Sequence, residues 1–88
     1  MLIVTRKIND SIQIGENISV KVVNINGNVV ELNVAMPDGD SKNAELKYDE
    51  QIEIRSDVSV KIINIVSRFV VRLGVTAPRN MKVIRIPR

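Results

Sequence analysis

The 88-residue chain has no cysteine, no histidine and no tryptophan, and its only aromatics are Tyr48 and Phe69. These absences remove disulfides, thiolate nucleophiles, zinc sites of the usual kinds and the commonest general base. Two lone rings cannot build the stacking platforms of RNA-recognition-motif or cold-shock domains, and each reads as core or surface filler. Scattered Ser and Asp, with no glycine-rich phosphate loop and no acids paired at a telling spacing, form no catalytic constellation. An enzyme is therefore not expected, and neither is a metal or cofactor. No apolar run approaches the ~20 residues of a membrane span, and Arg6 and Lys7 follow the apolar opening where a signal peptide would put them first. A cytoplasmic location without membrane contact is the expectation, although cysteine content is itself neutral on redox compartment.

What the chain does contain is an internal repeat. Val29-Val30-Glu31-Leu32-Asn33-Val34-Ala35-Met36-Pro37 lines up with Val70-Val71-Arg72-Leu73-Gly74-Val75-Thr76-Ala77-Pro78 at an offset of 41. Residues 12–25 match residues 52–65 at an offset of 40, with one residue inserted in the turn between. Two copies of roughly 40 residues make neither a solenoid nor a propeller; they suggest a two-fold dimer fused into one chain. Half of an 88-residue chain is too short to bury a stable core alone, so each copy needs the other. The expected organisation is one domain over 1–88, with repeats 1–40 and 44–88 joined at about 38–44.

Charge is distributed unevenly. Residues 1–50 carry five Lys/Arg against eight Asp/Glu, whereas residues 51–88 carry eight against two. Arg79, Lys82, Arg85 and Arg88 fall in the last ten positions with no acid among them. Two readings compete on charge alone: a polyanion footprint, if the four share a surface, and a solvated tail that serves solubility.

Periodicity predicts strands throughout. Residues 1–7 open as a β-branched and aliphatic strand with Leu2, Val4 and Arg6 on one face and Ile3, Thr5 and Lys7 on the other. A turn at 9–11, a short strand at 12–14 and a turn at 15–17 follow. From Ile18 the alternation is clean until Val23 and Ile25 shift the apolar phase, which implies a bulge or two-sided burial. Asn26-Gly27 suits a type I′ hairpin, and the return strand 29–35 turns Val30, Leu32 and Val34 inward. Residues 38–43 are turn chemistry. Residues 44–48 extend as a strand on the reading preferred here, while Ala, Glu, Leu and Lys suit one or two helical turns equally well. The second copy repeats the plan at 52–54, 58–65 and 70–76, and a last strand, 81–86, is ended by Pro87. Short strands at such spacing indicate an all-β sandwich or barrel, with Val20, Val22, Leu32, Val60, Ile62 and Leu73 in its core.

The opening MLIVTRKINDSIQIGENISVKVVNINGNVVELNVAMP resembles the CsrA/RsmA family of carbon storage regulators along its first 37 residues, and LGVTAPRNMKVIR resembles the family's Ala-Pro turn and basic last strand. The resemblance implies interleaved strands, as in a family dimer fused into one chain. It implies an RNA site joining the first strand of one copy to the last strand of the other. Such a site reads GGA in single-stranded or loop RNA, typically over a ribosome-binding site on mRNA, with small regulatory RNA as a further partner. Val4, Arg6 and Lys7 match the family's first-strand contacts, while Val83 and Arg85 match its last-strand contacts. With their neighbours, the candidate RNA-binding residues are Val4, Thr5, Arg6, Lys7, Lys82, Val83, Ile84 and Arg85.

The joint departs from the family pattern. Leu46 stands at the position of Arg6, and Ala44 falls opposite both Val4 and the key arginine, so residues 38–51 keep only one of the two strands a second site needs. A monomer with one site is expected, open to self-association at a strand edge. On pattern alone Arg6, Lys7 and Lys82 are solvated edge charges and Val83 and Ile84 packing residues. The joint survival of Arg6 and Arg85, far apart in sequence, favours a site. The alternative is a protein-interaction module that pairs with a CsrA-like regulator or another protein by strand-edge contact.

Overall fold

Alternating apolar and polar side chains convert into strands because only one face of each can be buried. The computed structural model describes residues 1–86, which form nine strands and no helix; the expected stop at Pro87 and the charge of Arg88 lie outside them. The strands are β1 (Leu2–Lys7), β2 (Ser11–Ile14), β3 (Ile18–Asn26), β4 (Val29–Ala35), β5 (Ser41–Lys47), β6 (Gln51–Arg55), β7 (Val58–Ile65), β8 (Val70–Thr76) and β9 (Val83–Ile86). Two antiparallel sheets form, one ordered β1-β8-β7-β6 and the other β5-β4-β3-β2-β9.

Each sheet mixes the two halves of the sequence. β1 leaves the first copy to pair with β8, Val4 lying opposite Leu73 and Arg6 opposite Val71. β9 leaves the second copy to pair with β2, Arg85 lying opposite Ile12 and Ile84 opposite Gln13. The repeat thus appears as strand exchange.

The core is the set of inward positions that period two selects. Ile12, Val20, Val22, Leu32, Val60, Ile62 and Leu73 are fully buried, and no polar or charged side chain is buried among the described residues. Each such aliphatic contributes about 1.5–3 kcal/mol by leaving water. The phase change at Val23 is a bulge between Val22 and Asn24, and the second copy has its counterpart between Ile62 and Asn64.

That bulge also corrects the turn. The extra residue moves the closing pair to Asn26 and Val29, leaving Gly27 and Asn28 as the loop. Gly27 has φ of +64° while Asn28 is not among the positive-φ residues, the sign pattern of a type II′ turn with glycine first, where type I′ was expected.

Residues 44–48 suit strand and helix alike by composition. β5 is a strand and begins earlier, at Ser41, because Gly39 at φ +92° and a bond from Met36 N–H to Asp40 O (2.7 Å) fold the chain straight back along β4. Conversely, β9 starts later than expected, since Met81 N–H turns back to Pro78 O at 3.0 Å.

Two outcomes follow from this packing. Truncating Leu32 or Leu73 to Ala should cost about 2–5 kcal/mol in urea unfolding, a large share of a small domain's stability. Residues 1–40 and 49–88 expressed separately should each lack cooperative unfolding and dispersed amide spectra; a cooperative fold in either piece would contradict the exchange.

Candidate nucleic-acid interface

β1 closes one edge of the four-stranded sheet and β9 one edge of the five-stranded sheet. Their hydrogen-bond phases follow from two contacts. Ile8 N–H donates to Phe69 O (3.0 Å), so the ladder to β8 uses Leu2, Val4 and Arg6 and leaves the backbone groups of Ile3, Thr5 and Lys7 at the free edge. Gly15 N–H donates to Lys82 O (2.8 Å), so the ladder to β2 uses Lys82, Ile84 and Ile86 and leaves those of Val83 and Arg85 free. Free main-chain donors and acceptors therefore stand on both strands that carry the candidate residues. Some are engaged locally: Lys7 N–H donates to Asp10 Oδ2 (3.3 Å), and Lys7 O accepts from Asp10 N–H (3.0 Å).

The side chains divide by face. Val4 and Arg6 point to the inner side of their sheet, as Val83 and Arg85 do opposite buried Ile14 and Ile12. Both arginines thus belong to the seam between the two edge strands. Thr5 and Lys7 are exposed on the outer face of one sheet, and Lys82 and Ile84 on the outer face of the other. The eight candidates lie on two neighbouring edges but do not share one face. Val4 is only 1% exposed and packs in the core, so its side chain is unavailable to a ligand.

Arg6 is the half-buried cation of the group. Its Nε donates to Thr5 O at 2.7 Å and its Nη1 to Ser11 O at 3.3 Å, and Ser11 lies opposite Ile86 of β9. The guanidinium spans from β1 in one sheet to β2 in the other, with donors to spare for a ligand. Arg85 is exposed. At the Leu2 and Val83 ends of the same two strands, a groove of about 370 Å³ runs between Met1 and Leu2 on one side and Pro78, Arg79, Met81 and Val83 on the other. Arg79, part of the basic cluster of the last ten positions, and the 76–78 wall are not among the eight candidates, although a proline ends the repeat in each copy, Pro37 in the first and Pro78 in the second. Nothing in the sequence marked the Ser11 carbonyl as the anchor of Arg6.

The opposite seam shows what the joint lost. β5 pairs with β4, Leu46 opposite Val30 and Ala44 opposite Leu32, in the same register as Arg6 with Val71 and Val4 with Leu73 on β1 and β8. The joint kept the first-strand equivalent. Leu46 is buried among the core residues, and β6, the counterpart of β2, pairs only with β7 among the described residues. Tyr48 and Phe69 are both exposed, so neither ring is core.

Residues 1–40 and 45–86 each match the model of the CsrA family, described as a global regulator protein family. The chain is 49% identical over 37 residues to the translational regulator CsrA of Bacillus velezensis, and equally so to that of Bacillus subtilis. These alignments cover 42% of this chain and 50% of each relative, so the match spans about half the relatives' length. No solved structure matches the chain. Two matches to one family in a single chain, with β1 and β9 exchanged between the copies they belong to, show that this protein belongs to the CsrA family as a tandem, two-copy member.

Proposed function

We propose that this chain is an RNA-binding post-transcriptional regulator that reads GGA in single-stranded or loop RNA, over ribosome-binding sites on mRNA, through one site at the β1/β9 seam. The observation that carries this reading is that Arg6 on β1 and Arg85 on β9 both stand on the inner sides of edge strands with free main-chain groups. A guanidinium fork donates bidentately to guanine O6 and N7 or to phosphate, and edge amides and carbonyls complement base edges. Membership of a family whose curated relatives are named translational regulators supports it. The two curated matches each take in half of the relative; the GGA target and the ribosome-binding-site setting follow from the family resemblance, and the place of the site follows from this chain's own geometry.

Three residue roles follow. Arg85 and Arg6 supply specific contacts, Lys7 and Lys82 attract phosphate from the flanking faces, and Val4 holds β1 in place from the core. Lys47, at the position equivalent to Lys7 but on the seam without a second strand, contributes little.

In gel-shift titrations against a GGA-loop hairpin and its mutated loop, Arg85→Ala should lose about 1–3 kcal/mol of discrimination, roughly 5- to 150-fold. Lys47→Ala should leave it unchanged, and equal effects from both would indicate diffuse charge attraction. With up to four cations near phosphate, log affinity should fall with log salt at a slope of roughly −3. Calorimetry with a short single-GGA RNA should give one RNA per chain; two equivalent sites would mean that the β5/β6 seam binds RNA as well.

A further inference from the structure

We infer that β6 is a self-association edge, at which a second copy of this chain adds its own β6 antiparallel to the first. The two copies of the repeat provide the comparison. β2 is covered by β9, and its Ile12 and Ile14 are fully buried; β6 has no such neighbour among the described residues, and its Ile52 and Ile54 remain partly exposed. Ile62 N–H donates to Glu50 O (3.0 Å), which sets the ladder to β7 and turns the N–H and C=O of Gln51 and Glu53 outward. These are the positions equivalent to Ser11 and Gln13, which meet β9 on the other side of the molecule.

Chemistry selects the occupant. Asp49 is paired with Lys61 at 2.9 Å and Arg55 ends the strand, so the edge carries both signs and offers no continuous basic track for RNA phosphate. Gln51-Ile52-Glu53 is complementary to itself: a two-fold axis at Ile52 sets Gln51 against the partner's Glu53 twice, stacks the two Ile52 side chains, and lets Gln51 and Glu53 exchange main-chain hydrogen bonds. A contact of this kind closes as a dimer and does not propagate. The bulge between Glu53 and Arg55 confines regular pairing to these three residues. The interface is small and belongs to the weak, transient class. If the β1/β9 seam binds RNA as proposed, the dimer carries two RNA sites and bridges two elements on one transcript; the contact itself does not depend on that reading.

The test is a charge exchange on β6, followed by mass measurement in sedimentation and light scattering as concentration rises. The unmodified chain should shift from 9.9 kDa to twice that mass. Gln51→Glu alone, which sets acid against acid, should stay monomeric, and so should the double variant Gln51→Lys, Glu53→Lys. An equimolar mixture of the two variants should dimerise, at least tenfold tighter than either alone, which also shows that both fold. An unmodified chain that remains monomeric to millimolar concentration would overturn the proposal, as would a mixture that does not associate. Dimers that persist equally in both separate variants would place the contact elsewhere, for example in exchange of β9. Single-site RNA binding by either variant, measured in parallel, separates failure of the edge from failure of the RNA reading.

Discussion

The ladders from β1 to β8 and from β9 to β2 hold the molecule together in a way that no contact within either copy can replace. Antiparallel pairing satisfies backbone groups that would otherwise be stranded beside the core, and here it does so only when each half lends a strand to the other. The inward aliphatics of both copies then close over one another. Because the two halves share one chain, folding is unimolecular, and stability does not fall on dilution as it does in an obligate homodimer. The same exchange brings the first strand beside the last, so the candidate site is a direct product of the fold's main constraint.

Much of this was legible in the sequence because period two is a strong signal when aliphatics dominate. The offset repeat, the strand order within each copy, the inward set from Val20 to Leu73 and even the phase slip at Val23 all follow from spacing alone. What spacing could not settle was anything decided by a distant partner. Ala44 aligned with two different positions of the repeat, and only pairing with β4 assigns β5 to the first-strand role. Asn26-Gly27 points to a type I′ turn, but the bulge at Val23 makes Asn26 and Val29 the closing pair and leaves Gly27 first in the loop.

At the candidate site the legible part was residue type and the illegible part was direction. Arg6 and Arg85 stood out through survival at matched positions, whereas Ser11 acts through a carbonyl that any residue would supply. Thr5, Lys7, Lys82 and Ile84 fall on outer faces, so their neighbours in sequence are not their neighbours around a ligand. Val4 fills the core and supports the edge from behind.

Leu46 has a consequence for how this chain can change. At the seam that lacks a second strand, a guanidinium in its place would sit in a largely apolar, desolvated position with no β9 counterpart to share. Regaining the arginine without the strand would destabilise the protein, and regaining the strand without the arginine would cover the seam but add no donor. Neither step alone makes the second seam resemble the first, so the asymmetry between the two seams is one that no single substitution removes.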